Sequence, residues 1–274
     1  MTYFSLSFLR KTIVVAAMAG LSFSAHAHHP FLVPTSTIVS GTSPWIMVDA
    51  AAAANVFEFD HMALPLDNLQ VTAPDGSIVP AENITHSRFR NSFELQLKQQ
   101  GSYKLDILNQ NLFASYKDQG EQKRWRGAAA NLSKEIPATA TDLQVSERIS
   151  RVETVVTNGK PGGQSMSLSG KGLELDFITH PNDLMAGETA RFRFMLDGKP
   201  AANLPVELIP GGKRYRQATE NQQLVTDSNG IVSITWKNAG LYYLQAEAKD
   251  DQHAAQPATS RTVSYNVTLE VLPQ

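Results

Sequence analysis

The chain has no cysteine among its 274 residues, which removes disulfides, thiolate metal sites and thiol catalysis together. No long apolar run follows residue 27, so nothing beyond that point matches the roughly 20 apolar residues of a membrane-spanning helix. Charged residues make up only 18% of the chain, and the net charge is −2. A nucleic-acid partner demands a strong basic stripe, and none is legible. Catalytic signatures are equally sparse: there is no G-x-S-x-G elbow, no H-E-x-x-H and no Gly-rich phosphate loop leading into a helix. The sequence is therefore read as that of a non-enzyme.

What is present begins with an export signal. Arg10-Lys11 precedes an apolar stretch from Thr12 to Phe23, and Ala25-His26-Ala27 supplies the small residues of an A-x-A cleavage site. Residues 1–27 are expected to be a signal peptide cleaved after Ala27, which places the mature protein in the periplasm. Its removal takes away Arg10 and Lys11 and no acid, leaving 22 basic side chains against 26 acidic ones.

From Phe31 onward the pattern is of short β-prone runs separated by turn residues, as in sandwiches. Phe93, Leu95 and Leu97 alternate with Glu94, Gln96 and Lys98, the mark of a strand with one buried face. Gly101-Ser102 then turns the chain into Tyr103, Leu105 and Ile107. Residues 117–150 are more polar and leave room for a short helix or an excursion from the sheet. Gly and Pro concentrate at 159–172, where a boundary is expected. Beyond it, runs such as Ala190, Phe192, Phe194 and Leu196 recur between Asp-Gly and Asn-Gly turns. The expected fold is all-β: two immunoglobulin-like or transthyretin-like β-sandwich domains, over 28–165 and 166–274, with Thr179–Leu184 beside their junction.

Several segments carry a family likeness. They are Trp45-Ile46-Met47-Val48-Asp49-Ala50-Ala51, Leu66-Asp67-Asn68-Leu69, Ala73-Pro74-Asp75-Gly76, Lys123-Arg124-Trp125-Arg126-Gly127, Arg151-Val152-Glu153-Thr154, Thr179-His180-Pro181-Asn182-Asp183-Leu184 and Pro210-Gly211-Gly212-Lys213-Arg214-Tyr215-Arg216. Together they resemble a bacterial periplasmic domain-of-unknown-function family associated with nickel or cobalt uptake. The resemblance implies a periplasmic metal-binding or metal-delivery protein, whose partner would be a membrane transporter or an outer-membrane receptor.

Metal chemistry has independent support in the residues. Cleavage after Ala27 would begin the mature chain with His28-His29-Pro30, offering an α-amine and an imidazole from one residue. Such a chelate suits Ni²⁺, Co²⁺ or Cu²⁺. The candidate ligands are His28, His29, His61 and His180, with His86 weaker. Each has a plain alternative: His28 and His29 as a polar mature terminus, His61 as a hydrogen-bonded loop residue, His180 as a side chain orienting the junction. Trp125 reads either as a partner-binding residue or as a ring tucked under the sheet between outward-pointing Arg124 and Arg126. Arg214-Tyr215-Arg216 reads as an anion-binding turn or as a wet hairpin strand with a buried tyrosine. A scaffold or adhesion-type protein binding a protein or glycan ranks second, and an N-terminal-histidine copper enzyme third.

Overall fold

The computed structural model describes residues 28–218 and 220–274; the expected signal segment and cleavage site lie outside them. The first part of the chain forms β1 (His29–Pro34), β2 (Ile38–Val39), β3 (Trp45–Ala53), β4 (Met62–Ala63), β5 (Leu69–Thr72), β6 (Ile78–Val79), β7 (Glu82–His86), β8 (Asn91–Gln96) and β9 (Gly101–Asp118). Next come β10 (Glu121–Gly127), α1 (Ala129–Glu135) and β11 (Thr141–Asn158). The rest forms β12 (Leu173–Phe177), β13 (Thr189–Leu196), β14 (Lys199–Pro200), β15 (Pro205–Pro210), β16 (Gln222–Val225), β17 (Ile231–Thr235), β18 (Gly240–Lys249) and β19 (Ser260–Val271). The expected all-β class holds.

Both halves have immunoglobulin-type connectivity. In the first, β1-β3-β8-β7 make one antiparallel sheet and β6-β5-β9-β11 the other, with β2 crossing over to run parallel to β11. In the second, β12-β13-β17 face β16-β15-β18-β19. These are the A-B-E and C′-C-F-G sets of that sandwich, with the D strand present only in the first half. Each half also carries a tyrosine at the start of its F strand, bonded back to the preceding turn. The Tyr242 hydroxyl donates to the Asn238 carbonyl at 2.8 Å, and the Tyr103 hydroxyl accepts the Gln99 N–H at 2.7 Å. That repeats the tyrosine corner of the fold twice, within Gly101-Ser102-Tyr103-Lys104-Leu105 and Gly240-Leu241-Tyr242-Tyr243-Leu244.

The two sandwiches share one ten-stranded sheet, because β11 pairs in parallel with β19 from Ser146↔Ser260 to Thr154↔Thr268. Strand residues alternate between faces, so this one sheet serves two cores on opposite sides. Val152 and Val156 of β11 join Tyr103, Leu105, Phe93 and Leu95 in the first core. Ile149 joins Val263, Tyr265, Phe192, Phe194 and Trp236 in the second. A smaller apolar cluster of Phe31, Ala51, Ala53, Val56, Ile209 and Tyr243 fixes β1 and β3 against the back of the second half.

β9 and β11 continue beyond the sandwich as an arm, to which β10 adds a strand. Seven residues are too few for a helix to hold itself together. α1 is kept in place by Leu132 and the following Ile136, which pack on Leu112, Ala114, Tyr116 and Val145. Trp125 lies half-buried beside this cluster, and its indole N–H donates to Glu135 at 2.7 Å while Arg124 and Arg126 stay exposed. The segment from 159 to 172 crosses the outer face of the first half. There Gly163, at φ 113°, passes so close to Pro74 that a Cβ would sit 2.5 Å from its carbonyl oxygen, a place only glycine can occupy.

The paired corners give a direct test. Tyr103→Phe and Tyr242→Phe keep the rings and remove one hydrogen-bonding hydroxyl each, so each variant should lose about 1 kcal/mol in urea denaturation. Equal stability to wild type in both would show that the corners contribute nothing.

Candidate functional site

β1 and β4 flank the last residues of β3: Ala52 pairs with Pro30 on one side and with Met62 on the other. The preceding stretches therefore bring two residues 33 positions apart into contact. The rings of His28 and His61 stack with centroids 3.4 Å apart and planes 5° apart. Two imidazoles from separate segments thus stand side by side. In a parallel stack the nitrogen lone pairs point along parallel planes, so one ring must turn before both can address an ion at the usual distance of about 2.0–2.1 Å. Among the described residues no group of three or more His, Asp or Glu side chains gathers to hold a metal. An α-amine freed on His28 would add a third nitrogen at this corner.

His29 points elsewhere. Gln245 donates from its amide nitrogen to Glu207 at 2.6 Å, so its oxygen faces His29 and accepts the hydrogen bond of Nδ1 at 3.2 Å. This chain fixes the orientation of the ring, with Nδ1 toward Gln245. The ring also meets Tyr243 edge-on, with centroids 5.4 Å apart.

The loop that carries His61 is clamped to the second half. Lys213 reaches Asn55 Oδ1 at 2.9 Å, and Arg214 pairs with Glu58 at 3.3 Å, which lowers the Glu58 carboxyl below its ordinary range. Phe57 and Phe59 both pack edge-on against Phe31. Gly211 lies under Phe57, where a Cβ would sit 2.7 Å from the ring. This corrects the reading of Arg214-Tyr215-Arg216 as a strand with a buried tyrosine. Lys213–Tyr215 form a 3₁₀ turn, Tyr215 is 84% exposed, and Arg214 serves as a clamp.

His180 is not brought to this corner. Its Nδ1 accepts the Asn182 N–H at 3.1 Å, so Nε2 carries the proton and donates to Ser102 Oγ at 2.9 Å. Burial lowers its pKa. With both nitrogens engaged, and with Ser102, Thr157 and Asn182 linked in the same network, His180 ties the start of the second half to β9 and β11. His86 contacts Asn91 at 3.1 Å and gathers with no other histidine.

The most unusual electrostatics lie at the shared sheet. Register places Asp106, Glu153 and Val267 in one row and Leu108, Arg151 and Tyr265 in the next. Arg151, buried, pairs with Asp106 at 2.6 Å and with Glu174 at 3.4 Å. Lys104 donates to the Ser167 carbonyl at 2.9 Å, closing the loop 164–169 over the charges. Glu153 is fully enclosed; its carboxylate accepts from Tyr265 at 3.0 Å, yet burial raises its pKa to about 7. An open cleft of about 790 Å³ lies against Lys104, Asp106 and Arg151.

The fold defines a protein built of paired immunoglobulin-type sandwiches. A family model described as "Domain of unknown function (DUF4198)" matches residues 25–250, and the chain belongs to that family. No curated protein matches the sequence. Among solved structures, the chain is similar to the "D0-D1 domain of Intimin" at 13% identity and TM-score 0.21, covering 87% of this chain and 96% of that one. It is also similar to "Escherichia coli alpha-2-macroglobulin activated by porcine elastase" at 13% identity and TM-score 0.20, covering 86% and 30%. A "Marsupial T cell receptor" matches at 10% identity and TM-score 0.20, covering 90% and 74%. Among the described residues no helix is long and apolar enough to cross a membrane.

Two predictions follow from the buried charges. Arg151→Met strands Asp106 in the interior, while Glu174 keeps its bonds from Ser169 and Gly170, and should lower stability by roughly 3–5 kcal/mol, measured by urea denaturation. The double change Arg151→Met with Asp106→Leu should recover most of the loss. Glu153 has the opposite sign from a salt-bridged carboxylate. Its folded pKa lies above its unfolded value, so folding holds a proton that the unfolded chain releases, and its contribution to stability declines as pH rises from about 4.5 to about 7. Glu153→Gln should remove that slope; parallel wild-type and variant curves of stability against pH over this window would contradict the assignment.

Proposed function

We propose that this is an exported transition-metal-binding protein of the periplasm, whose site is formed by the His28 α-amine, the His28 imidazole and the His61 imidazole. The observation that carries this reading is the ring contact between His28 and His61, two nitrogen donors joined from distant segments. Imidazole and amine nitrogens suit Ni²⁺, Co²⁺ and Cu²⁺, and the nickel and cobalt association of the family resemblance points to delivery toward an uptake system. A transporter or an outer-membrane receptor would be its partner. His29, held by Gln245 and Tyr243, steadies the terminus beside the site, and His180 has a structural role. Binding and transfer, without catalysis, is all that such a site requires.

Calorimetric titration of protein processed to His28 tests this. One equivalent of Ni²⁺ or Cu²⁺ should bind, with affinity falling on acidification because protons compete for the same nitrogens. His28→Ala, His61→Ala and a Gly-Ser extension ahead of His28 should each weaken binding at least tenfold, while His180→Ala leaves it unchanged. Equal binding by all four variants, or affinity no tighter than about 0.1 mM (roughly −5.5 kcal/mol), would sink the site and favour a scaffold that binds other envelope components.

A further inference from the structure

The arm of β9, β10 and β11 presents one open face whose charge departs from that of the chain. Register sets Arg124, Ser115 and Gln144 in one row and Arg126, Phe113, Ser146 and Ser260 in the next. Asn111, Arg148, Thr262 and Lys249 lie in a further row. Neighbours across strands on one face lie about 5 Å apart, so Arg124, Arg126, Arg148 and Lys249 form a contiguous cationic patch on a protein whose net charge is −2. All four are exposed, and none forms an ion pair among the described residues. The neighbouring Lys117 is neutralised by Asp142 at 2.8 Å. Arg126 and Arg148 lie 5.4 and 5.6 Å from the Phe113 ring, which holds both guanidinium groups on this face. Beside them is a concavity of about 490 Å³ where the Phe113 and Trp125 rings meet Arg124, Gln144, Ser146 and Ser260, within the size range of small-ligand sites.

We infer that this face binds an acidic polysaccharide, a sugar chain bearing carboxylate or phosphate groups. Charge complementarity requires an anion, and arginine's planar fork matches carboxylate and phosphate oxygens two at a time. Between the cations stand hydroxyl and amide side chains, which hydrogen-bond sugar hydroxyls. Phe113 is already engaged by two arginines, so the groups left to meet a ligand between the cations are guanidinium, hydroxyl and amide, with Leu143 at the edge of the face.

The test uses the mature protein with polygalacturonate fragments and, separately, a phosphomannan, in calorimetry at low and physiological salt. Binding to either, weakening steeply with salt, is expected. Arg124→Gln/Arg126→Gln/Arg148→Gln should lower affinity at least tenfold, whereas Lys160→Gln/Arg191→Gln/Lys237→Gln, which removes three exposed cations elsewhere, should leave it unchanged. Circular dichroism checks the fold of both variants. Should the triple variant not fold, Arg124→Gln alone, at the concavity, should still weaken binding at least threefold. The inference is overturned if neither polysaccharide binds, if the control variant loses as much affinity, or if poly-glutamate or phosphatidylglycerol vesicles bind through the same arginines as tightly as the polysaccharides.

Discussion

The parallel pairing of β11 with β19 is the constraint from which the rest of the structure follows. An immunoglobulin-type sandwich normally leaves its G strand at an edge, with one face buried and a row of unpaired backbone groups exposed. Here two such edges satisfy one another, and the price is that β11 becomes central to a sheet covered on both faces. Its side chains from Arg151 to Asn158 are all buried. Several of them are polar, so every charge among them needs a partner within the sheet or from the segment lying over it. Arg151 with Asp106 and Glu174, Lys104 with the Ser167 carbonyl, and Glu153 with Tyr265 meet that need. Such pairs add little net stability over apolar packing, but breaking one is expensive. Their effect is to penalise every register of the two halves but one.

That arrangement explains which parts of the fold were legible. Strands with one wet face, such as β8 and β13, show plain alternation, and the turns around them carry Gly, Pro and Asp, so the all-β class was readable. Of β11 (Thr141–Asn158), strand character was legible only over Val152–Thr157, the end buried on both faces; the first part, from Thr141, lies largely in the arm and is dominated by polar residues. Its Ser146-Glu147-Arg148 and Ser150-Arg151 stretches look like surface sequence. The repeated Gly-x-Tyr-x-Leu at Gly101 and Gly240 was available as a signal for the doubled sandwich. It was missed because two five-residue matches 139 positions apart have no meaning until their hydroxyls are seen bonding back to Gln99 and Asn238.

The histidine corner was legible only in part, for a related reason. A histidine's neighbours along the chain say what it could bind, but its contacts depend on strand register. The contact of His61 with His28 requires β1 and β4 to flank the same end of β3. It also needs the loop between them to be held by Lys213 and Arg214, whose sequence suggested an anion site. His180 went the other way. Pro181 after it gave a correct hint of a fixed backbone, while the buried hydrogen-bond partners that occupy both ring nitrogens come from β9 and from the next turn.

The two proposed sites lie on one face of the shared sheet, and their spacing determines whether they can affect one another. Gln245, beside His29, and Lys249, in the cationic patch, are four residues apart on β18, about 13 Å at the rise of a strand. Along that path the face changes sign. Glu207 and Glu247 lie toward the histidines, and Lys249, Arg148, Arg126 and Arg124 lie toward the arm. A bound metal cation and a bound polyanion would therefore sit at opposite ends of this path. The Debye length at physiological ionic strength is about 8 Å, shorter than the separation, so charge alone couples the ends weakly there. At low salt, where that length grows to about 30 Å at 0.01 M, each ligand would strengthen binding of the other, since opposite charges brought to one face attract. Coupling that persists at physiological salt would have to travel through structure instead, and the route available is the hydrogen-bonded chain from His29 through Gln245 to Glu207 together with the strand that carries Gln245 into the patch.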